Sequence, residues 1–347
     1  MRRSGLCLLM AIACYVPSQA LADPRVREVV KVAGRIRAEP VIGSDGAIYV
    51  ASDDGTVRAL TPRGEQRYLV RAGARVRATP VLDERGVLYV GTEAGDLIAI
   101  EPNGTLRFRV RIGAPIVAPL ALAPATSERK QPLVLVAADG LYGFTPAGLM
   151  AFHWVTPARL RAPPVVHPGG FAVIGTTYGT LLAIGFEGRM RWQANAFGAI
   201  ESGAAVAPDQ TIVVGTTLGS LLRFAPDGRM MAALALPGAI FATPTIASDG
   251  SIFIGIENGA LYALGPGFEP RWRFATHGPI RARARLPDKG LVVVGSTDDV
   301  VYGLRRDGTE RFRYNLGSDI GAPIALGKGG MLYVGTDHGT LYAVPFQ

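Results

Sequence analysis

Apolar and polar residues alternate along this chain in short runs, and the runs come in fours. Between positions 76 and 110 the apolar stretches Val76 to Leu82, Val87 to Val90, Leu97 to Ile100 and Leu106 to Val110 are separated by polar, glycine-bearing segments. Alternation with a period of two over four to seven residues predicts half-buried strands. Gly86, Gly95 and Gly104 fall between them, where a tight turn calls for positive φ. The stretch Met331 to Val344 (MLYVGTDHGTLYAV) shows the unit at its clearest, with two alternating strands around a short turn that ends at Gly339.

That unit recurs. The small residue ending the first hairpin strand is Ala51, Gly91, Ala137, Gly175, Gly215, Gly255, Gly295 and Gly335, and five of the seven intervals are 40 residues. The long interval, from Gly91 to Ala137, holds a polar insertion from Pro124 to Pro132 before Val134. Four short antiparallel strands repeating every 40 or so residues are the mark of a propeller blade. The chain ends after three strands of its eighth unit, whereas Arg27 to Gly34 resembles the fourth strand of the first unit, Arg67 to Gly73. The expected fold is therefore all-β: a single eight-bladed β-propeller of four-stranded antiparallel blades, closed by an N-terminal strand that completes the last blade and hides the sheet edges.

Composition adds a compartment. Arg2 and Arg3 precede an apolar run, Leu6 to Val16, followed by Ala20-Leu21-Ala22, the order of parts in a secretory signal peptide. Residues 1–22 are assigned to that signal and 23–347 to the propeller, which predicts a periplasmic or secreted protein. Lipidation at Cys14, giving an outer-membrane lipoprotein, is the alternative and the sole route to a membrane. Both cysteines, Cys7 and Cys14, lie within the signal, so the exported chain carries no disulfide and no thiolate metal site. The net charge of +8 is modest for 347 residues and, with export, argues against a nucleic-acid partner. A monomer is expected.

The pattern Gly-Thr-x-x-Gly-x-Leu-x-Ala, followed by Pro-x-Gly and an aromatic, as in Gly91 to Phe108, resembles the repeat of the pyrroloquinoline-quinone-like (PQQ-like) propellers. That family includes quinoprotein dehydrogenases and the outer-membrane assembly factor BamB. The resemblance implies that Tyr68, Phe108, Phe152, Trp192, Trp272 and Phe312 pack between neighbouring blades, with the fifth unit departing at Met230-Met231-Ala232. It also raises a PQQ-dependent dehydrogenase with calcium as an alternative. Those enzymes are longer, and no matching acidic constellation can be carried over, so neither cofactor is expected. The histidines, His153, His167, His277 and His338, have no ligand spacing. Asp53-Asp54 and Asp298-Asp299 read as turn residues rather than calcium ligands.

Stacking the innermost strands by register gives Arg37, Arg77, Val117, Arg161, Glu201, Phe241, Arg281 and Gly321, with Arg35, Arg75 and Arg159 two positions earlier and Arg283 and Arg285 continuing blade seven. An arginine cluster at one mouth of the channel follows. Two readings remain open. In one, acids in the turns of the same face, such as Asp53, Glu93, Glu257 and Asp337, neutralise it locally. In the other, the acid-free turns of blades four and five leave Arg159 and Arg161 unpaired beside Tyr178, Leu218 and Phe241, an arginine-aromatic patch of the kind that anchors partners. The candidate site is thus Arg37, Arg77, Arg159, Arg161, Tyr178, Glu201, Leu218, Phe241, Arg281 and Arg283, binding an envelope protein or an acidic ligand. A small-ligand or glycan sensor is a further alternative.

Overall fold

The computed structural model describes residues 25–126, 129–288 and 290–346. The signal peptide and Cys14 lie outside the described residues. Eight antiparallel sheets follow one another around a ring, each made of consecutive strands except the last. That sheet orders its strands as Arg27–Lys31, Thr340–Pro345, Met331–Gly335 and Ala325–Leu326, so the N-terminal strand closes the circle as the sequence predicts. Arg27 lies opposite Ala343 and Lys31 opposite Thr340, with a bulge between Glu28 and Val30.

Each blade runs from an innermost strand at the channel to an outermost strand at the rim. The innermost strands are shorter than their sequence suggests: only Val81–Leu82 of Val76 to Leu82 is strand. Prolines at positions 40, 80, 119, 163, 244 and 323 have no N–H to donate to the ladder, yet blade five, without one, has an equally short inner strand, Ala205–Val206. The segment before each proline is held by its neighbours instead. Ile116 N donates to Thr92 O at 3.0 Å, in the preceding blade, and Glu93 N donates to Arg75 O at 2.9 Å, within its own. Blade seven departs further, its innermost strand reduced to a single bridge between Arg285 and Val293.

Two repeated close approaches lock blade to blade. The glycine ending the second strand faces an isoleucine from the next blade: Gly91 meets Ile116, Gly175 Ile200, Gly215 Ile240 and Gly335 Ile36, and a Cβ at any of these glycines would collide with that side chain. Where the residue is Ala51, the incoming side chain is the smaller Val76. At the rim, five outer-strand aromatics lie on the turn glycine of the following blade, Tyr68 on Gly104, Phe108 on Gly148, Phe152 on Gly188, Trp192 on Gly228 and Trp272 on Gly308, while Phe312 packs in the core cluster shared by blades seven and eight. The indoles also donate to that turn, Trp192 Nε1 to Pro226 O at 2.8 Å and Trp272 Nε1 to Arg306 O at 2.7 Å. The packing role implied for these rings is what the structure shows.

Blade five lacks the ring, having Ala232 there, and blade six answers with Phe268 at the position of the turn glycine. Phe268 is buried despite a φ of +70°, joins Ala232 and Leu234 in one core cluster, and carries the Arg223 guanidinium 5.2 Å above its ring. The aromatic is supplied from the turn instead of the strand. Phe268→Gly should lower stability by about 3 kcal/mol, as for other emptied aromatic sites. Adding Ala232→Trp should restore most of it in urea denaturation; two purely additive losses would refute the exchange.

Candidate functional site

The face that bears the turn between second and third strands also bears the loop entering the next blade, and the candidate residues divide there into two groups. The first is paired. Arg77 Nε lies 3.1 Å from Asp53 Oδ1 and its Nη1 2.9 Å from Glu93 Oε1. Arg35 and Arg37 share Asp337 at 3.4 and 3.5 Å. Arg281 grips Glu257 with Nε and Nη2. The Asp53 carboxylate, first of several causes, raises the Arg77 guanidinium above its ordinary value, and Glu257 does the same for Arg281. The acids in the turns thus neutralise most of the ring, in partly exposed pairs worth about 0 to 1 kcal/mol each.

The expectation that Arg161 is unpaired does not hold. Its Nη1 is 3.7 Å from Glu201 Oε2 of the adjoining blade, a partner hidden from sequence because it sits one blade away in the same register rather than in a turn. Arg159 is exposed and has no ion pair among the described residues. Arg161, Glu201, Phe241, Arg281 and Arg283 line the central channel, a cavity of about 1380 Å³, whereas Tyr178 and Leu218 stand on the rim loops.

Tyr178 and Leu218 are 73% exposed each, and between them the structure adds Phe197, 68% exposed. These three side chains come from consecutive loops that touch. Ala196 N donates to Gly179 O at 2.7 Å and Thr217 N to Ala199 O at 2.9 Å, and a Cβ at Gly198 would lie 3.1 Å from Leu218 Cγ. Phe197 has a φ of 55°, at a position where Gly73, Gly113 and Gly317 serve in other blades with positive φ. Its signal in the sequence was this replacement of a repeat glycine by a large ring. The opposite sector of the face, blades seven and eight, is acidic: Asp298, Asp299, Asp319 and Asp337. Burial, reinforced by the neighbouring Asp319, holds the Asp299 carboxyl above its ordinary value.

The remaining candidates for chemistry are engaged structurally. Asp54 Oδ1 accepts from Thr56 N at 2.9 Å, and Asp298 accepts from His277 N and the Tyr302 hydroxyl, both at 2.8 Å. His153 stacks on Tyr142 at 3.9 Å, and His167 Nε2 meets Gln210 O at 2.9 Å. Among the described residues no three His, Cys, Asp or Glu side chains converge as a metal site. Arg129, in the insertion before Val134, lies on the opposite face 4.7 Å over the Phe186 ring.

Residues 53–145 match the family model described as outer membrane protein assembly factor BamB. In fold, the chain is an eight-bladed propeller similar to BamB. The crystal structure of BamB from Moraxella catarrhalis superposes with a TM-score of 0.77 at 19% identity, covering 92% of this chain and 100% of that one. The computationally designed Ika8 protein gives 0.75 at 14% identity, covering 92% and 99%, and Sqt1 of Saccharomyces cerevisiae 0.77 at 12%, covering 90% and 96%. A search of curated protein sequences finds no match. Identities this low establish the architecture alone.

Phe197 holds a left-handed backbone, costing an L residue about 1–2 kcal/mol, where glycine would lose only about 0.5–1 kcal/mol through its freer unfolded chain. Its ring packs little that would be lost. Phe197→Gly should therefore stabilise the fold by roughly 0.5 kcal/mol or more in urea denaturation; a destabilised variant would contradict the assignment of Phe197 as a surface residue held under strain.

Proposed function

We propose that this chain is an exported, non-catalytic scaffold that docks a protein partner of envelope assembly on the face of blades four to six. The observation that carries the reading is the apolar triplet Tyr178, Phe197 and Leu218, exposed on three touching loops that contain no acid. Elsewhere on that face Arg35, Arg37, Arg77 and Arg281 are paired with acids of the turns. Exposed aromatic and aliphatic anchors rimmed by arginine are the usual energetic centre of an interface. Arg159 supplies an unpaired cation at its edge, and Arg161 a second that needs only to leave Glu201, so the partner segment should pair apolar side chains with acidic ones.

Two further facts support the reading. The matched family is described by its role in outer membrane assembly, and the arginine pair, apolar run and Ala20-Leu21-Ala22 at the N-terminus suit an envelope location. The channel carboxylates do not fit a calcium-held quinone, because Glu39 and Glu201 are each engaged by arginine. Catalysis is accordingly left out of the reading.

The test is capture from solubilised envelope by the tagged protein, with Tyr178→Asp/Leu218→Asp as control. Both positions are exposed, so the double variant should melt within a few degrees of the wild type. It should lose at least ten-fold of the recovery of outer-membrane assembly components. Recovery undiminished in the folded double variant would remove the proposed face.

A further inference from the structure

In the two layers of residues below its mouth, the central channel carries one more guanidinium than carboxylate among the described residues. Glu39, on blade one, is reached from blade seven by Arg283, whose Nη2 lies 3.0 Å from Oε2, and by Arg285. Blade eight, which separates them, presents only Gly321, Pro323 and Ala325 at these levels, so the side chains meet across it. The other blades contribute Thr, Pro, Gly, Val and Ala in the same two layers. Two guanidiniums thus share one carboxylate, leaving one formal positive charge.

The two arginines differ in what they can still do. Arg285 is a fixed element: its side chain is 17% exposed, Glu39 is 12% exposed, and Arg285 Nε donates to Ile324 O. Burial pulls the Arg285 guanidinium down to about 10, still protonated at neutral pH. Arg283 lines the cavity and spends a single N–H on Glu39, so its remaining guanidinium donors have no partner among the described residues. In the same layer on the adjoining blade, Thr243 Oγ1 accepts from Gly203 N at 2.9 Å, which leaves the hydroxyl proton to donate. A guanidinium fork beside a hydroxyl donor matches the paired oxygens of a carboxylate or phosphate, and the walls of a narrow channel concentrate the field of the uncompensated charge.

We propose that the channel binds a small oxyanion, carboxylate or phosphate, on Arg283 with Arg285 behind it, at a site separate from the protein-docking face. Glu39 then acts as an internal competitor for the same guanidiniums. The volume of the channel leaves room for the anion to enter from the mouth past Arg161 and Arg281.

Calorimetric titration of the full protein with inorganic phosphate, and separately with succinate, in low-chloride buffer tests this. One saturable site is expected for at least one probe, and which probe binds names the oxyanion class. Arg283→Gln, which leaves the Glu39–Arg285 pair in place, should weaken binding at least ten-fold with little change in melting temperature. Glu39→Gln, by freeing both guanidiniums, should tighten it about ten-fold. If Glu39→Gln does not fold, Arg283→Gln decides alone. Tyr178→Asp/Leu218→Asp should bind the anion as the wild type does, and Arg283→Gln should retain the protein partner, so either proposal can fail without the other. Failure of both probes to bind the wild type, or equal binding by wild type and Arg283→Gln, overturns the site.

Discussion

The structure depends on the fit of each blade against the next. A β-sheet of four short strands cannot bury both of its faces alone, and in this ring the burial is completed by two contacts repeated with small variation. Isoleucine enters where glycine ends a strand, and an aromatic ring lies on a turn glycine of the following blade. Both contacts work because the glycine has no side chain to displace. The pairing varies at two seams, where Val76 faces Ala51 and Leu160 faces Ala137 in place of isoleucine and glycine, and Phe268 stands in the turn where the preceding strand has only Ala232. Interiors packed at crystal-like density tolerate such exchanges only when both partners change together.

That regularity explains what could be read from the sequence. Strand alternation, turn glycines and a spacing of 40 residues report local geometry, so blade number, strand order and ring closure by Arg27–Lys31 were legible. The missed features are all set by neighbours rather than by local pattern. The Phe268 exchange joins two different repeat positions on adjacent blades. The Arg161–Glu201 pair links residues 40 apart, and neither lies in a turn between second and third strands. Inner strands are short because the segment ahead of each bonds to the adjoining blade, as Ile116 N does to Thr92 O and Ile240 N to Thr216 O. Of the candidate site, the absence of acids in the turns marks Tyr178 and Leu218 in the sequence, whereas Phe197 is marked only by the glycine it replaces.

A rigid ring makes departures from the repeat informative. Most of the charged side chains on the functional face answer one another, so their number says little about a partner. Among the described residues, what remains unanswered includes three apolar side chains on touching loops in one sector, the unpaired Arg159 beside them, and an uncompensated guanidinium inside the channel. The apolar side chains suit a protein surface and the channel guanidinium a small anion. The scaffold holds both in place without needing to move, since each loop is bonded to the one beside it.

Site-specific photo-crosslinking in cells that express the protein tests the central claim, that the sector around Phe197 faces a partner. A photoreactive residue at position 197 should yield a discrete cross-linked protein product, while the same residue at His277, which occupies the equivalent exposed loop of blade six, should yield little or none. Equal products at both positions, or product at 277 alone, would contradict the account.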